Sequence, residues 1–128
     1  MDFEVGDIVL FESAVAGKAK FHFCFVFNGG NSKYGFMFLN SEGEYEDHFA
    51  IDCQRIPEMK ESRSGRTVFS CPTVIQKSKA ELERLKPRKI CTLPRDVAQE
   101  FLEFSKTIES MVGIHLHALV KTLKALSE

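Results

Sequence analysis

The stretch FHFCFVF, Phe21–Phe27, limits the folds open to this chain more than any other segment. Successive side chains of a strand point to opposite faces. Phe21, Phe23, Phe25 and Phe27 would form one face, with His22, Cys24 and Val26 on the other. Such a strand asks for cover on both sides. The Phe row is expected to fill a core, and the His22 face to be either a second packed layer or the floor of a site.

The flanking segments fit a β-rich beginning. GDIVLF, Gly6–Phe11, alternates Ile8 and Leu10 against Val9 and Phe11 and predicts a first strand. Ser13–Lys20 reads as a small, polar loop with a basic end. NGGNS, Asn28–Ser32, has turn chemistry, because Asn and Gly accept positive φ. It joins FHFCFVF to YGFMFLN, Tyr34–Asn40, as a hairpin. HFAIDC, TVFSC and RKICTL predict further short strands, and Pro57–Arg66 reads as a mobile basic loop.

Helical spacing takes over later. In KSKAELERL, Ser78 and Glu81 have the spacing of a capping box, in which each side chain satisfies the other's backbone amide. Val97, Phe101, Phe104, Ile108 and Met111 recur at helical intervals, with Pro94 in the first turn and Gly113 as the expected C-cap. Leu116, Leu119, Val120 and Leu123 predict a second helix. Strands first and helices last make an α+β chain: a small twisted barrel over about 5–93, with C-terminal helices over about 94–127. At 128 residues this is one domain.

Composition narrows the function classes. No apolar run approaches the roughly 20 residues of a membrane span, and the acidic start MDFEVGDIVLFE is unlike a signal peptide. No membrane partner is therefore expected. Cys24, Cys53, Cys71 and Cys91 contain no CxxC pair, so packed, reduced thiols in a cytoplasmic protein are expected rather than a metal site. No metal or other cofactor is anticipated. Residues 1–53 carry three basic and nine acidic side chains, whereas residues 54–95 carry eleven basic and four acidic. The basic stretch is either a face for an acidic partner or a set of charges neutralised by the folded neighbours.

Two ends of the chain carry a family resemblance. GDIVLF opens it, and LERLKPRKICTLPRDVAQEFLEF runs late into a helix, with Leu85, Lys89, Ile90, Thr92 and Leu93 in the pattern. The chain resembles the PemK/MazF toxins of bacterial toxin–antitoxin systems in element order over roughly residues 5–110. That resemblance implies an SH3-like barrel, a homodimer, an antitoxin partner with an acidic tail, and a metal-independent endoribonuclease acting on single-stranded RNA. The interior departs from the family pattern. His22 stands where the family has a catalytic arginine and Phe23 where it has proline. Asn40–Ser41 replace a Thr-Ser pair, and Ser70–Cys71–Pro72 replace an Arg-Cys-Asp step.

Metal-free RNA cleavage needs a base for the 2′-OH, a donor or cation for the phosphorane charge, and an acid for the leaving oxygen. His22, Asn40 and Ser41 are the catalytic candidates. Glu4 or Asp7 would orient the imidazole. Lys18, Lys20, Arg63 and Arg66 are the RNA-binding candidates. The bland reading of His22 is a core histidine bonded to backbone. His48 reads as a solvent-exposed group, and His115 and His117 as helix residues beside a leucine stripe. Two functions stay open: a diverged endoribonuclease, or a non-catalytic SH3-like barrel that binds protein or nucleic acid. A buried His22, or helices filling the groove, would favour the binder.

Overall fold

The computed structural model describes residues 2–13, 17–41, 47–59 and 64–128. The strands are β1 (Asp7–Ser13), β2 (Lys18–Asn28), β3 (Lys33–Asn40), β4 (His48–Asp52), β5 (Arg66–Ser78) and β6 (Arg88–Thr92). The helices are α1 (Lys79–Leu85), α2 (Arg95–Ser105) and α3 (Gly113–Ser127). The chain is α+β. The six strands form one antiparallel sheet in the order β4-β5-β3-β2-β1-β6, curled into a half-barrel with β4 and β6 at its edges.

Both faces of the sheet are covered over its centre. On one face Ile8, Phe23, Phe25, Met37, Leu39 and Phe69 pack under α2 and α3. Phe49 stacks on Phe101 of α2 at 4.4 Å, and a fully buried side chain of this size stabilises by about 1.5–3 kcal/mol. On the other face Val9, Phe11, Cys24 and Phe36 pack with Phe3 and with Leu82 of α1. The C-terminal helices therefore cover the face of the larger core.

One bulge changes the expected Phe row. The β2–β3 register shifts between Cys24 and Val26, leaving Phe25 as the extra residue. Beyond a one-residue shift every side chain changes face. Phe27 accordingly leaves the main core, lies 4.7 Å from the Tyr34 ring and is 46% exposed. The Phe25 carbonyl instead accepts the Thr122 hydroxyl of α3 at 2.7 Å, which fastens that helix to the sheet.

Strand β5 runs on past Pro72 to Ser78, where TVFSC alone was expected. Pro72 and Thr73 lie within the irregularity opposite Met37–Leu39, where a missing amide costs no ladder bond. Lys18 and Lys20 belong to β2 rather than to a loop. The expected Ser78–Glu81 capping box is present, with both reciprocal bonds formed.

Gly113 does not end a helix. It begins α3, and α2 stops at Ser105. The Asp47 carboxylate accepts the Glu109 and Ser110 amides at 3.2 and 2.7 Å, tying the connection between the helices to the start of β4. A hydrogen bond from the Ser110 side chain, with those two amides behind it, holds Asp47 below its usual carboxylate range.

Candidate functional site

The antiparallel pairing brings Lys18 at the start of β2, Asn40 and Ser41 at the end of β3, and Arg66 at the start of β5 to one end of the sheet. His22 pairs with Phe38, which places Lys20 opposite Asn40 on the same face. The Lys20 ammonium donates to Asn40 Oδ1 at 2.9 Å and lies 5.9 Å from the Phe38 ring centroid. Ser64 Oγ donates to the Ser41 carbonyl and accepts the Arg66 amide at 3.2 Å, joining the end of β3 to the start of β5. Five of the expected residues, Lys18, Lys20, Asn40, Ser41 and Arg66, thus share one rim. Arg63 lies outside the described residues.

His22 is not part of that surface. It is fully buried and stacked on Phe11, with ring centroids 3.7 Å apart and planes 5° apart. Phe36 and Phe38 flank it at 6.0 and 5.2 Å. Among the described residues neither ring nitrogen has a hydrogen-bond partner. Burial is the main cause that lowers its pKa to about 4. The backbone of Lys20 and of Val9 pulls it back in part, without a bond of ordinary geometry, while the Lys20 and Lys77 charges lower it further. The ring is therefore neutral at pH 7. It offers neither a cation for phosphorane charge nor a nitrogen to bulk solvent.

The groups expected to orient His22 are engaged elsewhere. Buried Asp7 accepts from Thr92 Oγ1 at 2.8 Å and from the Glu4 amide at 2.8 Å, with Lys89 Nζ at 3.4 Å. These contacts join β1, β6 and the N-terminal turn. Glu4 is exposed.

Another imidazole is better placed. Half-buried His48 of β4 pairs with Ser70 of β5, and Nε2 lies 3.4 Å from Ser70 Oγ. Ser70 and Asn40 both alternate away from Phe69 and Leu39, so His48 shares the face of Asn40. Two strand spacings, about 10 Å, separate His48 from the β3 rim. The sequence hides this because pairing of β4 with β5 sets the face of His48, and the acidic residues before it suggested full exposure.

All four cysteines are free and buried. Burial pushes the Cys24, Cys71 and Cys91 thiols up to about 12. Among the described residues no group of three His, Cys, Asp or Glu side chains could hold a metal ion. No helix there is long and apolar enough to cross a membrane. No family model and no curated protein matches the chain.

Proposed function

We propose that this chain is an SH3-like barrel of PemK/MazF descent that binds single-stranded RNA at the Lys20–Asn40 rim and does not use His22 in catalysis. The observation that carries this reading is the contrast between the two sets of candidate residues. Lys20, Asn40, Ser41 and Arg66 line one end of the sheet, whereas the His22 ring is sealed against Phe11. Lysine and arginine charges at such a rim attract phosphates without reading sequence. Half-buried Phe38, beside the Lys20 ammonium, supplies an aromatic surface for a base.

The descent also implies a homodimer and an antitoxin with an acidic tail, and sedimentation of the purified chain tests the first. The second functional reading is a ribonuclease in which His48 supplies the imidazole. Its position beside Ser70, on the Asn40 face, favours that over chemistry at His22.

Fluorescence anisotropy with a labelled, mixed-sequence single-stranded RNA in EDTA, followed by a gel for cleavage, tests these readings together. Wild type should bind, weaken steeply with salt and leave the RNA whole. Lys20→Ala and Arg66→Ala should each weaken binding several-fold, and His22→Phe should not. Absence of binding at low salt would remove the RNA reading. Cleavage lost in His48→Ala would establish the ribonuclease at His48, and cleavage lost only in His22→Phe would restore His22 as catalyst.

A further inference from the structure

At the other end of β2, about 25 Å along the strand from Lys20, the β2–β3 turn and the first turns of α3 enclose a cavity of about 500 Å³. Gly35 forms part of its wall. A Cβ there would meet Val26 Cγ1 at 2.5 Å, so the close packing of Val26 depends on the missing side chain. The apolar lining includes Val26, Ile114 and Ala118, and Lys33 and Lys121 supply cationic nitrogens. No lining residue carries a carboxylate. Neither lysine is in a salt bridge among the described residues. Glu81, whose carboxylate feels Lys33, is itself held by the Ser78 amide and lies near Lys77.

We infer that this cavity binds a small amphiphilic anion, with an apolar body against Val26, Ile114 and Ala118 and a carboxylate head at Lys33 and Lys121. Its size falls within the usual range for small-ligand sites, which are mostly apolar with a few directing polar groups. The exposed side chain of Ile114, at 68%, would be covered by such a ligand. A protein partner would need roughly 800 Å² on this side. Val112, Val5 and Phe27, which packs against Tyr34 on the other face, complete the exposed large apolar groups among the described residues, which favours the smaller occupant. The positive, carboxylate-free lining selects an anion over a neutral chain of the same length. This site is separate from the RNA rim and does not depend on it.

Decanoate below its micelle concentration is the probe, followed by amide NMR shifts, with decanol as the neutral control. Saturable one-to-one binding is expected, with shifts at Gly29, Gly35, Ala118 and Lys121. Decanol should bind about tenfold more weakly, a difference of about 1.4 kcal/mol. Lys121→Glu, at an exposed position, should weaken decanoate binding by a similar factor, and Ala118→Phe should abolish it by filling the space. The proposal fails if no saturable shift occurs, if decanol binds as well as decanoate, or if both variants bind as wild type does. Concentration-dependent shifts at Val112 and Ile114 without ligand would place a second copy of the chain there and overturn it too.

Discussion

Replacing His22 by Phe tests the burial argument directly. In the unfolded chain this imidazole titrates near 6.5, and in the folded chain near 4. The unfolded state therefore takes up the proton first as pH falls. The contribution of the neutral, buried ring is complete above about pH 6.5 and is lost on the way down to about pH 4. The full span is about 3 kcal/mol, of which about 2.5 kcal/mol is gone at pH 4.5. The phenyl ring of the variant would keep the stack on Phe11 but not titrate. At pH 7.5 two effects oppose: removing unpartnered nitrogens stabilises, while the larger ring crowds Phe36 and Phe38. The informative quantity is thus the change with pH. Urea denaturation of both proteins, followed by circular dichroism at several pH values between 7.5 and 4.5, measures it, because the other titrating groups are common to both. The variant should gain about 2.5 kcal/mol relative to wild type across that range. A difference that stays level within about 0.5 kcal/mol, or an imidazole NMR titration centred near 6.5, would refute the sealed, neutral ring and reopen His22 as an acid–base group.

Asp7→Ala should destabilise the fold by about 2–3 kcal/mol, read from the urea midpoint, because the carboxylate takes bonds from Thr92 and Glu4. Lys89→Ala should cost under about 1 kcal/mol, since that ammonium is 41% exposed. Gly35→Ala should cost about 1–3 kcal/mol through the 2.5 Å approach to Val26, and Val26→Ala in the same chain should recover part of it in a double-mutant cycle. Ellman's reagent at pH 8 should leave the native thiols unreacted over minutes and titrate four in guanidinium, since all four are buried and three have raised pKa values.

Local signals were the legible ones. The Ile8–Phe11 alternation, the Asn28–Ser32 turn and the Ser78–Glu81 cap each act within a few residues, and each appears where its chemistry places it. The features that escaped depend on register. Nothing near Phe25 announces the bulge that turns Phe27 to the other face, because the free Phe25 carbonyl is satisfied by Thr122, far along the chain. Gly113 looked like a helix end because Ile108 and Met111 keep helical spacing through a connection pinned by Asp47. Asn40 follows from the family resemblance and Lys20 from its charge just before His22, and their contact exists only through the β2–β3 pairing. His22 was the least legible, since whether a strand histidine is a ligand or a core group depends on what lies over it. Here that is Phe11.

The pairing of β1 with β6 bears on how the chain is made. Between Ser13 and Arg88 the ribosome must supply about 75 residues, which takes roughly 4–15 s at ordinary elongation rates. Throughout that interval one side of β1 has unbonded amides and carbonyls, and the Phe-rich face of β2 waits for α2 and α3. A nascent chain in this state presents an open, apolar template for strand addition. Slowing synthesis between β5 and β6, or depleting factors that hold nascent chains, should therefore lower the soluble yield more than a stall after α3.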